Sequence, residues 1–150
     1  MKPLRPILFA ACAVVAASCT SAASRTMNVG AEIRAGGSLA QIYYWRAKPG
    51  KFEEYTRYVR DVAEPIDEEA HRRGAFLSVT TYMTQDTTSA WTHMRVFILR
   101  DSAQWRGLSA ALDSAGMRLE PDSVRRRERG QYSAGLRDRV GALTVQILQR

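Results

Sequence analysis

The chain has 150 residues, enough for one domain, with 22 Lys and Arg against 15 Asp and Glu and a formal charge of +7. Apolar residues make up 45% and charged residues 25%, a globular balance that excludes collagen-like, low-complexity and wholly disordered classes. Only one stretch is apolar enough to enter a bilayer, which excludes a polytopic membrane protein.

That stretch opens the chain. Lys2 and Arg5 form a positive flank, Ile7 to Ala17 is apolar and uncharged, and small residues run from Ser18 to Ser24. This is a secretory signal pattern, too short for a comfortable membrane span. Two processing sites fit it. Val15-Ala16-Ala17-Ser18-Cys19 resembles a bacterial lipobox, where cleavage leaves Cys19 as a lipidated first residue, although Ala16 stands where a larger aliphatic residue is usual. Ser21-Ala22-Ala23 fits an ordinary small-residue site with cleavage after Ala23.

The cysteines bear on the choice. Cys12 lies in the apolar leader, so Cys19 is the only cysteine left to an exported chain. A lone cysteine at the extreme N-terminus suits thioether attachment and offers neither a disulfide framework nor a cysteine metal site. The expected organisation is a signal peptide over 1–18, a Ser-, Ala- and Gly-rich tether over 19–37 and a folded domain over 38–150. The expected location is the cell envelope, with the protein anchored as a lipoprotein on the periplasmic side or secreted. Export removes it from nucleic acid. From Arg118 to the end, eight Arg stand against four acids, either a solvated face or a surface that touches anionic lipid headgroups.

The first periodic element is a strand over Leu39 to Arg46, rich in aliphatic and aromatic residues on both faces. Lys48-Pro49-Gly50 makes the turn after it. Phe52, Tyr55, Val59, Val62, Ile66 and Ala70 then recur every three or four residues, one continuous stripe of a helix. Glu53 and Glu54 in its first turn and His71, Arg72 and Arg73 in its last suit the helix dipole, and Gly74 is a stop. Pro65 lacks an amide, so a kink or break is expected near Val62–Glu64. Residues 75–84 and 90–99 read as strands of an antiparallel hairpin joined by a polar loop. Asp101, with Gln104 three residues on, starts a second helix whose buried stripe is Trp105, Leu108, Ala111, Leu112 and Ala115, ending at Gly116. A short extra helix is expected over 120–129, and a last strand over 140–148.

The order β-α-β-β-α-β is the split βαβ or ferredoxin-like α+β arrangement, a four-stranded antiparallel sheet with helices on one face. Trp91, His93, Arg95 and Phe97 share one face of the third strand, and Tyr43 and Trp45 one face of the first. Phe76, Ser78, Thr80 and Tyr82 share one face of the second. If these are the helix-free faces, they form an aromatic surface that a second copy of the sheet would cover in an isologous homodimer.

Residues 44–55, Tyr-Trp-Arg-Ala-Lys-Pro-Gly-Lys-Phe-Glu-Glu-Tyr, resemble the opening of dimeric α/β-barrel domains of the antibiotic-biosynthesis-monooxygenase-like and stress-responsive groups. Residues 90–97, Ala-Trp-Thr-His-Met-Arg-Val-Phe, followed by Asp101-Ser102-Ala103-Gln104-Trp105, are similar to the third strand and second helix of the same group. The resemblance covers roughly residues 38 to 149. It implies two sheets packed into a barrel across a dimer, with a ligand pocket inside the barrel or between each sheet and its helices. Some members are cofactor-independent monooxygenases of polycyclic aromatic substrates. Others degrade haem with an Asn, a Trp and a His, a pattern not met here, because Asn28 is the only asparagine and lies in the tether.

His93 is the leading candidate for a general base, with Arg95 beside it to hold an anion or stabilise an enolate. Tyr43, Trp45, Tyr82 and Trp91 would supply a ligand's walls. The plainer alternative makes His93 and Arg95 hydrogen-bonded barrel or interface residues. Glu68 and His71, with Asp67, have the spacing of a metal pair but no further ligand, so no metal is expected and no cofactor is called for. Three functions follow in order: a membrane-anchored dimeric barrel binding a small apolar or aromatic molecule, a cofactor-independent oxygenase, and a structural protein of the cell envelope.

Overall fold

The structure, a computed structural model, describes residues 38–86 and 88–148. The signal peptide, the tether and the lipidation candidate Cys19 lie outside them. In chain order the elements are β1 (Leu39–Ala47), α1 (Phe52–Tyr58), a π-helical turn (Val59–Ala63), α2 (Glu64–Arg72), β2 (Ser78–Met83), β3 (His93–Leu99), α3 (Ser102–Leu119), α4 (Ser123–Leu136) and β4 (Arg137–Gln146). The strands form one sheet in the order β2-β3-β1-β4, every neighbouring pair antiparallel. This is the expected ferredoxin-like α+β fold.

The long stripe of the first helix is interrupted where Pro65 requires it. The Glu64 amide bonds the Val59 carbonyl, five residues back, and Pro65 then falls in the first turn of α2, where a missing amide costs nothing. Gly74 ends α2 with φ of +77°, a left-handed backbone that favours glycine. Asp101 caps α3, accepting from the Ala103 and Gln104 amides at 2.8 and 2.9 Å. Gln104 Oε1 reaches one residue further back than a capping box requires and accepts from the Arg100 amide at 2.7 Å. Glu69 ties α2 to α3 by accepting from Arg73 at 2.6 Å and Arg118 at 2.9 Å.

The core lies between the sheet and the helices. Leu39, Phe97 and Leu99 from the sheet meet Ala70 of α2 and Leu108 and Ala115 of α3, with Phe76 closing one end. The strand register settles which side chains share that covered side. Trp45 pairs with His93, Tyr43 with Arg95, Gln41 with Phe97 and Leu39 with Leu99. In β3 the residues His93, Arg95, Phe97 and Leu99 are buried while those between them are half-buried. The expected aromatic surface is therefore corrected: Tyr43, Trp45, His93, Arg95 and Phe97 face the helices. The helix-free side carries Ile42, Tyr44, Met94, Val96, Ile98, Leu143 and Val145, joined by Thr80 and Tyr82.

The C-terminal third departs most from expectation. The helix expected to be short runs to Leu136, capped by Asp122 through the Val124 amide at 2.8 Å. β4 starts at Arg137 rather than at Val140. Its register against β1 shifts between Tyr44 and Trp45, so Tyr44 opposes Gly141 while Trp45 opposes Arg139. Val140 is the extra residue of a β-bulge. Side chains alternate along a strand, so without the bulge Arg137 and Arg139 would point to the helix-free side. With it they join Trp45 and Tyr43 beneath the helices.

Candidate functional site

A cavity of about 680 Å³ lies between the covered side of the sheet and helices α3 and α4. Tyr43 and Trp45 of β1 and Arg95 and Phe97 of β3 form its floor. Tyr58 at the end of α1 adds a fourth ring to those walls, and Leu112 and Asp113 of α3 and Ser133 of α4 close the other side. Arg137 and Arg139 enter from β4.

Each cation at this cavity is set against an aromatic ring. The Arg95 guanidinium carbon lies 5.4 Å from the Phe97 ring centre, that of Arg137 4.8 Å from Trp45 and 5.4 Å from Tyr55, and that of Arg139 5.3 Å from Tyr43. Arg95 is buried, with Nη2 ion-paired to Oδ2 of the equally buried Asp67 from α2. Burial lowers its pKa from 12.5 to about 10, so it stays charged at neutral pH and needs that counter-ion. Arg95 and Asp67 also border a second cavity of about 500 Å³ against Ile66 and Met117. Burial raises the Tyr43 hydroxyl pKa, partly offset by Arg139, and takes that of Tyr55 to about 12. Both are neutral phenols.

His93 lies behind this floor, fully buried. Its Nε2 is 3.0 Å from Thr56 Oγ1 and its Nδ1 2.9 Å from Thr92 Oγ1. The Thr56 hydroxyl donates to the Phe52 carbonyl at 2.9 Å. Its oxygen is therefore left to accept from Nε2–H, and Nδ1 accepts from Thr92. Burial, assisted by Arg137, pushes the imidazole pKa down to about 4. The ring is packed edge-on against Tyr55 at 4.4 Å and beside Phe52 at 5.1 Å.

The structure thus brings Tyr43, Trp45 and Arg95 to one cavity and leaves three other sequence candidates off its lining. His93 is enclosed by threonines and rings. Trp91 precedes β3 and packs near Tyr44, 6.3 Å between ring centres. Tyr82 stands exposed on the helix-free side. Of the residues with metal-pair spacing, Asp67 is taken by Arg95 and His71 Nε2 lies 3.0 Å from the Leu77 carbonyl. Among the described residues no three His, Cys, Asp or Glu side chains gather as a metal site. Tyr58, Asp113, Arg137 and Arg139 were not singled out by sequence, because the bulge that aims the two arginines has no residue signature in β4.

No family model matches the sequence, and a search of curated proteins finds no match. Solved structures do match. SnoaB, a cofactor-independent oxygenase from Streptomyces nogalater, is similar with a TM-score of 0.45 at 12% identity, over 76% of this chain and 96% of that one. HapK from Hahella chejuensis is similar with a TM-score of 0.53 at 12% identity, over 75% of this chain and 94% of that one. At that identity, what this chain shares with HapK is the ferredoxin-like α+β fold.

Proposed function

We propose that this protein is an exported, lipid-anchored homodimer that binds a small aromatic molecule between the sheet and helices α3 and α4. The observation that carries the reading is the cavity of about 680 Å³ walled by Tyr43, Trp45, Tyr58 and Phe97. Ligand sites typically span roughly 300–1,000 Å³ and combine apolar walls with a few polar groups. Binding is favoured over oxygenation because the buried imidazole, with both nitrogens occupied by threonines, is not presented to the cavity. The dimer rests on the apolar helix-free side of the sheet, where Tyr82 and Leu143 are exposed. The anchor rests on the lipobox-like sequence before Cys19.

Native mass spectrometry of the protein purified from host membranes and released from mild detergent tests these parts together. The expected result is a dimer, lipidated at Cys19, that carries or takes up an ultraviolet-absorbing aromatic compound. A protein that neither retains such a compound nor takes one up from an aromatic library overturns the binding reading. A monomer overturns the dimer, and an unmodified Cys19 overturns the anchor.

A further inference from the structure

The charges at the cavity are uneven. Asp67 neutralises Arg95. Arg137 and Arg139 are different: their side chains contact aromatic rings, and Arg137 Nε donates to Ser133 Oγ at 3.0 Å. Among the described residues neither has a carboxylate partner. Asp113 lines the cavity from α3 and makes no ion pair with either. Two cations and one anion, none ion-paired to another, therefore share an open, aromatic-walled cavity in which Arg139 and Asp113 are exposed to solvent.

We infer that the cavity takes an aromatic monocarboxylate, its ring between Tyr43, Trp45 and Phe97 and its carboxylate on Arg137 and Arg139. This rests on the binding reading above and narrows it to a ligand class. Three features converge on it. The net excess of one positive charge matches a single negative charge. Arg137 and Arg139 are two residues apart on one side of a strand, about 7 Å by strand geometry, so both guanidinium groups can reach one anion. Each guanidinium carbon lies over a ring, Arg137 Nε is taken by Ser133, and the remaining N–H groups can donate in the forked pattern that suits a carboxylate. The bulge at Val140 is what delivers both side chains to this side of the sheet, and bulges commonly re-aim side chains at a site.

Isothermal titration of the exported protein with 2-naphthoate and with the isosteric neutral 2-naphthamide tests this. The acid is expected to bind at least about tenfold more tightly than the amide in low salt, with the ratio shrinking as salt rises. In Arg139→Gln and in the Arg137→Gln/Arg139→Gln double variant the ratio should collapse toward one. In Asp113→Asn it should grow. Arg125→Gln, on the exposed part of α4, should keep the wild-type ratio. Equal binding of acid and amide by the wild type overturns the carboxylate inference and leaves the aromatic-binding reading standing. Binding of neither probe overturns both. A preference for the acid that survives the double variant overturns the assignment to Arg137 and Arg139.

Discussion

His93 looks catalytic in a sequence and is built as a structural residue. An imidazole in a strand beside an arginine invites an acid–base role, yet what decides its behaviour comes from elsewhere in the chain: Thr56 on α1 and the packed rings of Phe52 and Tyr55. The same holds for Arg95, whose partner Asp67 sits on α2. Both residues were conspicuous in the sequence, but their partners were not, because pairing across the fold leaves no local spacing to read. The buried neutral imidazole has a consequence for stability. In the unfolded chain it takes up a proton below about pH 6.5, whereas in the native state it does so only below about pH 4. Between these values the unfolded state holds more protons, so stability falls as pH falls and levels off below about pH 4. At about 1.4 kcal/mol per pH unit the loss is on the order of 3 kcal/mol. Urea unfolding from pH 7.5 to 4 should show the advantage of wild type over His93→Gln shrinking toward acid. A pH-independent difference would contradict a buried neutral His93.

At the scale of elements, the caps and turns were the most legible. Asp101 and Gln104 announced α3, Gly74 the end of α2, and Pro65 the break in the first helix, because each acts through its own backbone neighbourhood. Asp101→Ala removes the acceptor for two amides and should cost about 1 kcal/mol in chemical denaturation, the usual worth of an N-cap, whereas an unchanged midpoint would mean that the α3 start is held by packing alone. Less legible was α4. Its buried side chains are only Ser133 and Leu136, and Val124 is exposed, so no apolar stripe marks its length against the run of arginines. The faces of β3 were misleading for a related reason. His93 and Arg95 alternate with Met94, Val96 and Ile98, and alternation alone points the aliphatic set inward. The actual arrangement is the reverse, because Thr56, Thr92 and Asp67 satisfy the polar set inside.

The whole molecule is consequently left with aliphatic residues on the uncovered side of its sheet. Ile42, Val96, Ile98, Leu143 and Val145 lie across three strands there. In the proposed homodimer this layer is the contact between the two sheets. Val96→Glu places a charge in its middle without touching the core beneath the helices. Sedimentation equilibrium should report a dimer for wild type and a monomer for Val96→Glu, with unchanged far-ultraviolet circular dichroism. A dimer that tolerates the glutamate would move the contact elsewhere on the surface.

The position of β1 also sets how the domain would bear load. Ser38 leads directly into the strand that is hydrogen-bonded on both sides, by β3 and by β4, and its carbonyl is held by the Ile147 amide at 2.8 Å. Under the proposed anchoring, any pull between membrane and domain enters through this inner strand. To extract it, two ladders must shear together, with Leu39 leaving the core at the same moment, and forced unfolding is governed by the rate of that event. A leash ending on the outer strand β2 would instead peel one ladder bond by bond at far lower force.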